Sequence, residues 1–547
     1  MDEENGTPPK RKPVGWKAMP YILGNETLET LATFGLVSNF MVYLGREYHM
    51  DQVQAATLIN TWTACTNLSP VVGAFISDSL VGKFPTIVFG CLAELLGMVI
   101  LTLTALIPGL RPPPCTAVDE CVGYTNGQMS ILILGLSWLV IGSGGIRSCS
   151  VPFSIDQFDV STQEGREGSR RFFSWYYTTR TIVLLISQTL VVYVQNDISW
   201  SIGFAIPSVL MVVAIVMFLS GSRFYVYVKP EGSVFSDVAQ VFKSAYRRRK
   251  AAQISSELGD FCDPFLPKIQ PSEELTDQFR FLNKAAIGRD NGDEGDGECR
   301  EKWEVCSVKQ TEDVKSIISI IPIFATSIIG FLAINQQQTF TVSQALEMDL
   351  HVPGTSYQVP ASCITVISLI TIGIWIPFYD AFLVHPLEKL TKQEGGMTLL
   401  QKVGIGNIFS IIAMLVSGVI EHMRRDSALG GSELSVFWLA PPQILMGFAQ
   451  VFTFVGLIEF FNKQVPTRMR SIGNSLMWLA LSASGYVSSM VVNVVHDVTG
   501  RDGGESWLTD DVNTSKLDYF YFFVAGVSTL NLIFYLFSAH RYRYRNM

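Results

Sequence analysis

Charge is what this 547-residue chain has least of: only 16% of its residues are Asp, Glu, Lys or Arg, against about 25% in soluble domains. That deficit excludes a nucleic-acid binder and argues against a soluble enzyme of two or three domains. Cysteine is scarce too, and nine Cys spread over this length do not build a disulfide framework. No metal-ligand cluster, nucleophile motif or phosphate-binding loop appears, so no enzyme chemistry or cofactor is expected. Residues 1–20 are polar and basic. They lack the short apolar stretch and small-residue cleavage site of a signal peptide, so the first span is expected to stay in the mature protein.

Apolar residues fill the gap. Hydrophobic residues make up 48%, with 44 Gly and 35 Phe, and mean hydropathy is +0.30. That is the composition of a polytopic membrane protein. A spanning helix needs about 20 mainly apolar residues. Candidates begin near Tyr21, Ala55, Pro85, Met129, Phe173, Trp200, Val314, Val359, Val403, Leu434, Ser471 and Tyr519. Lys and Arg collect on one side of these spans: Lys10, Arg11, Lys12 and Lys17, then Lys83, Arg166, Arg170, Arg171, Lys389, Lys392, Lys402, Lys463, Arg468 and Arg470, and finally Arg541, Arg543 and Arg545. The other side holds only Arg46, Arg111, Arg424, Arg425, Arg501 and Lys516. The positive-inside rule then makes both termini cytoplasmic, which requires an even number of spans. The acidic loop 496–517, with its sequon at Asn513, falls outside, as do Cys115 and Cys121, a candidate disulfide pair.

One long connection divides the chain. The expected organisation is a cytoplasmic tail (1–20), a six-helix bundle (21–222), a cytoplasmic linker (223–312), a second six-helix bundle (313–540) and a short cytoplasmic tail (541–547). The fold class is therefore an all-α membrane protein with twelve transmembrane helices. Two six-helix halves joined by a long cytoplasmic loop form the major facilitator architecture. In the linker, Val234, Phe235, Val238, Val241, Phe242 and Ala245 share one helical stripe, followed by Arg247–Lys250. That pattern suits an amphipathic helix against the membrane surface or the bundle. Between spans two and three, Asp78, Gly82 and Lys83 resemble the gating-loop motif of the major facilitators. Asp78 would end one helix, Gly82 would allow a tight turn, and Lys83 would cap a helix or pair with an acid.

Ionisable residues inside a membrane are costly and point to function. Glu26 and Glu29 lie three apart on one face of the first span. Arg147 follows Gly142-Ser-Gly-Gly on the fourth span, where small residues let a neighbouring helix come close. Arg180 lies on the fifth span and Glu459 at the end of the tenth. Two glutamates facing one arginine form a site that can take up or release a proton, weakening a salt bridge as it does so. The competing reading is a structural Glu–Arg bridge. Glu459 could likewise pair with Lys463 at i+4, and Arg180 could snorkel to the surface.

These stretches together resemble the plant nitrate/peptide transporter (NPF) family, within the proton-dependent oligopeptide transporter group of the major facilitators. The resemblance runs nearly end to end. It rests on Gly24 to Glu29, Gly73 to Lys83, Gly144 to Arg147 with Phe153 to Asp159, Arg171 to Tyr177, Trp303 to Lys315, Gln336 to Thr339, Pro377 to Asp380 and Glu459 to Ser471. It implies secondary active transport by alternating access, with the proton as coupling ion and Glu26, Glu29 and Arg147 as the coupling residues. It also implies that Glu459 lies beside the substrate and Trp478 is an aromatic pocket residue. The family motif continues with Arg or Lys after the second glutamate; here that position is Thr30.

For the substrate, Arg180 beside Tyr176, Thr178 and Thr179 favours an anionic or carboxylated solute. The resemblance admits nitrate and glycosylated organic solutes. The His residues (49, 351, 385, 422, 496 and 540) fall in loops or at span ends, so the mid-membrane histidine of some nitrate-carrying members is missing. The expected partners are a small solute and the lipid bilayer, with no nucleic acid, and the plasma membrane is favoured over the vacuolar membrane. Two alternatives stay open: a proton-independent facilitator or exporter, suggested by Thr30, and a transporter-like sensor signalling through the linker.

Overall fold

A computed structural model of the protein describes residues 14–544. It leaves out 114–122, 229–233, 248–278, 284–307, 501–506 and 509–512, and also 38, 51, 160, 192, 353, 355–357, 360, 393–395, 467–468 and 514. The candidate disulfide, the basic run at 248–250 and most of the linker lie outside the described residues. Among the described residues, helices dominate and β structure is limited to two isolated bridges, Asp349 with Ser435 and His351 with Gln358.

Six long helices precede the linker: α1 (Met19–Val37), α2 (Gln52–Ile76), α3 (Lys83–Leu106), α4 (Asn126–Ile155), α5 (Gln163–Ile186) and α6 (Trp200–Ser220). Six follow it: α7 (Val308–Leu346), α8 (Val366–Phe378), α9 (Leu399–Leu429), α10 (Ala440–Gln464), α11 (Arg470–Thr499) and α12 (Leu517–Arg541). Nine spans, α3, α4, α6, α7, α8 with its continuation to Thr391, and α9 to α12, are long and apolar enough to cross a membrane by length and composition among the described residues. The other three, α1, α2 and α5, carry polar residues such as Glu26, Glu29, Thr66, Ser169 and Tyr176 that are buried inside the protein. The protein is thus an all-α, multi-pass membrane protein. It carries large apolar side chains exposed on its flanks, among them Val72, Phe89, Val216, Ile374, Leu530 and Phe537, as a lipid-facing surface requires.

Each half has its own apolar core. The first gathers Leu36, Tyr43, Met98, Leu139, Phe172 and Phe204, and the second Phe331, Met414, Leu457, Phe461, Ala480 and Phe520. Helix approach depends on small residues, as read from the run before Arg147. A Cβ on Gly73 of α2 would lie 2.0 Å from the carbonyl oxygen of Gly144 on α4. Only a bare backbone fits that crossing.

At the face where α1 begins and α12 ends, helix Val234–Arg247 leans on the base of α7, with Val241 and Ala245 packed against Leu282 and Val314. It therefore rests on the bundle. Phe242, expected on the same apolar stripe, is exposed. Arg424 is also corrected. Read as an outer-loop cation, it lies within α9, 1% exposed, with two 2.8 Å hydrogen bonds to Glu421. The helix runs a full turn and more past its apolar stretch, which moves the residue inside.

Candidate functional site

The polar residues of α1 meet those of α4, α5 and α11 near the boundary between the halves. Glu26 and Glu29 are both buried and share a face, as their spacing requires, but they point to different neighbours. Glu26 accepts hydrogen bonds from Ser150 of α4 and, at 3.1 Å, from the Tyr176 hydroxyl of α5. Arg180, one turn along α5, donates to that same hydroxyl at 3.1 Å and comes within 3.9 Å of the Glu26 carboxylate. Arg180 therefore reaches inward and does not snorkel to the surface. Glu29 takes hydrogen bonds at 3.3 Å from Thr30 and from Thr33, both on its own helix.

Arg147 was expected to face the two glutamates. Among the described residues it makes no ion pair with either within 4.0 Å. Its guanidinium donates to Asn67 of α2 at 3.2 Å and lies 4.6 Å from the ring centre of Trp478. Arg180 lies 5.5 Å from the same ring. Two cations from the first half thus share one indole from the second, each contact contributing about 0.5–2 kcal/mol. The Trp478 Nε1–H is buried without a hydrogen-bond partner. Asn474, one turn before Trp478, donates to the Arg147 backbone carbonyl at 2.6 Å and ties α11 to α4.

Glu459 stands apart from this cluster. It is held by Lys463 at 2.6 Å and Lys402 at 3.4 Å, within its own half. The i+4 pair anticipated from sequence does form. Glu459 still borders a cavity of about 50 Å³ between α5, α8 and α10, lined also by Arg170, Trp375, Tyr379 and Lys402. Tyr177 crosses nearby to the Phe454 carbonyl at 3.3 Å.

Asp78, Gly82 and Lys83 form a buried junction between the halves. Gly82 has φ +92°, a conformation closed to side-chain-bearing residues, so the turn needs glycine. Asp78 accepts the backbone N–H of Ile472 on α11 at 3.3 Å. Lys83 pairs with Asp156 at 2.5 Å, and Arg470 of α11 takes the other oxygen of Asp156 at 2.8 Å. Arg170 and Glu388 make a second pair across the halves at 2.5 Å. Sequence reading missed Asp156 as the shared acid, although it lies in a stretch that carried the resemblance. It also missed Glu94, a lone carboxylate in the apolar run of α3 that is 1% exposed. Its signal was plain: one acid inside an otherwise uncharged span.

The profile of the POT family (PTR2) matches residues 84–508. The Arabidopsis thaliana protein NRT1/PTR FAMILY 2.14 is 64% identical, with 100% of this chain and 99% of that relative covered. The chain belongs to the POT family. NRT1/PTR FAMILY 2.13, also from Arabidopsis thaliana, is 47% identical over 98% of this chain and 88% of that protein. Among solved POT structures, an auto-inhibited peptide transporter superposes with TM-score 0.63 at 20% identity, covering 97% of this chain and 98% of the other. A POT transporter in complex with 5-aminolevulinic acid gives TM-score 0.62 at 14% identity, covering 98% and 99%. At such identities the two structures speak for the fold alone, and they agree with the helical architecture described above. POT members are membrane transporters and not enzymes, and this chain is a membrane transporter of that family.

Proposed function

We propose that the protein is a proton-coupled symporter. It would move nitrate, or an anionic or glycosylated organic solute, by alternating access. The observation that carries this reading is the link Arg180–Tyr176–Glu26, set beside Arg147 and Trp478 where the halves meet. Coupling follows from competition. An anion between Arg147 and Arg180 draws the Arg180 guanidinium away from Glu26. The carboxylate is then buried with only hydroxyl donors, which costs several kcal/mol. Taking up a proton removes that cost. Anion and proton therefore bind together, and neither is favoured alone. With Arg147 and Arg180 turned to the anion and off the Trp478 ring, the site no longer holds the halves in one arrangement. The Asp156 and Glu388 bridges can then break on one face as contacts form on the other.

The resemblance and the Lys/Arg bias support placing both termini in the cytoplasm, with the plasma membrane favoured. Glu459, paired to two lysines, serves in this reading as the second-half wall of the cavity. Thr30 gives specific support to one competitor, a proton-independent facilitator. Where the resemblance expects a base, Thr30 offers Glu29 only a hydroxyl at 3.3 Å. The test is an uptake screen in proteoliposomes against nitrate, peptides and plant glycosides at acidic external pH. A symporter accumulates its solute only while the proton gradient stands. Equal accumulation after the gradient is collapsed would reject coupling and leave the facilitator.

A further inference from the structure

Glu94 is used by nothing described so far. It lies mid-way along α3, the only Asp or Glu in that helix, and α4 is shaped around it. A Cβ on Gly142 would come within 2.3 Å of the Glu94 Cγ and 2.6 Å of its backbone nitrogen. The close backbone crossing of α3 and α4 itself requires glycine at 142, and that glycine also leaves room for the Glu94 side chain.

Its neighbours define what it does. The Thr33 hydroxyl of α1 lies 3.3 Å from a Glu29 oxygen and 3.5 Å from a Glu94 oxygen. One hydroxyl has one hydrogen. Thr33 makes two full hydrogen bonds by donating to one carboxyl group and accepting from the other, which then carries a proton. Neither Glu29 nor Glu94 has an ion pair within 4.0 Å among the described residues. The charged and titratable groups facing Glu94 are Glu29 and Glu26 from α1 and Arg147 from α4, with Cys91 on its own helix. The packed helix α6 contributes no titratable side chain. Two buried acids joined by a hydroxyl, with no bonded base, hold one proton between them at far lower cost than none.

We propose that Glu94 is the second half of the proton site: Glu29, Thr33 and Glu94 hold one exchangeable proton between α1 and α3. The proton passes as a relay. The acid form of Glu94 gives its hydrogen to the Thr33 oxygen while Thr33 gives its own to the Glu29 carboxylate, so the hydroxyl is regenerated and one carboxylate replaces another. This arrangement supplies what Thr30 does not, a group on another helix that fixes the protonation of Glu29. The proposal rests on the proton-coupled reading and locates its reservoir on α3, one step behind the Glu26–Arg180 link.

The test is infrared titration of the purified full-length protein in lipid nanodiscs, following the carboxylic-acid carbonyl band with no solute added. The band should persist in wild type to a pH at least about one unit above that at which it is lost in Glu94→Gln, because the neighbouring charge is gone. Thr33→Val keeps the volume and removes the bridge, so it should move the band in the same sense, and it guards against misfolding of the first variant. A band at the same pH in wild type and both variants overturns the proposal, even where gradient-driven uptake stands. Wild-type uptake of labelled nitrate or of a solute from the screen that ignores the gradient ends the coupling reading instead, whatever the band does.

Discussion

At the residue scale the protein is organised by what buried charge needs. Glu26 has Ser150, Tyr176 and Arg180; Glu459 has two lysines; Glu421 has Arg424 and, at 2.6 Å, Gln344. Removing one partner leaves an uncompensated group, while a planar guanidinium is not replaced by an ammonium. Arg180→Lys should keep a charge but lose the fixed geometry between Tyr176 and Trp478. Solute uptake by that variant should fall about tenfold or more, equivalent to one charged hydrogen bond. Uptake at the wild-type level would mean that Arg180 only balances charge. The Glu26–Arg180 contact was not legible in the sequence. Both residues were singled out, but which arginine meets which glutamate depends on the rotation of α1, α4 and α5 about their axes, and hydropathy does not report that. Glu94 was legible as a lone acid in an apolar run, yet its meaning depends on Thr33, a residue that looks ordinary on α1.

At the element scale, helices were the easiest feature to read and their ends the hardest. Twenty apolar residues announce a span wherever they occur. Arg424 shows the limit: α9 continues to Leu429, and the cation lies inside a helix where a loop was expected. Contacts between elements follow the small residues. Gly73→Leu should push α2 off α4 at the Gly144 carbonyl, costing about 2–4 kcal/mol. Size-exclusion profiles of the detergent-solubilised variant should show loss of the monodisperse peak. Gly82→Val forces a β-branched residue to φ +92° and should cost about 1–3 kcal/mol. A thermal-shift measurement on the purified variant should show a lower melting temperature. An unchanged value would mean that the turn relaxes into another conformation.

At the scale of the whole molecule, the two bundles meet along α2 with α11 and α5 with α8, and buried polar contacts lock one face. Asp156, held by Lys83 from its own half and Arg470 from the other, ties the α2–α3 turn, α4 and α11 together, and Arg170–Glu388 adds a second tie. Arg470→Ala should weaken the closure of this face by about 3–5 kcal/mol, as expected for breaking a buried pair. A cysteine introduced at Ser475, buried next to this junction, should then react faster with a water-soluble thiol reagent added from the side of the termini. The all-α membrane fold was readable because hydropathy survives in one dimension. Which side chains close the interface was not, since Asp156 and Arg470 lie 314 positions apart.

In the proposed mechanism Glu26 binds the proton that solute carriage requires. Two assays on Glu26→Gln in the same proteoliposomes decide this role: exchange of labelled for unlabelled solute, and accumulation driven by an inward proton gradient. Exchange should persist while gradient-driven accumulation is lost. Accumulation at the wild-type level in that variant would contradict it.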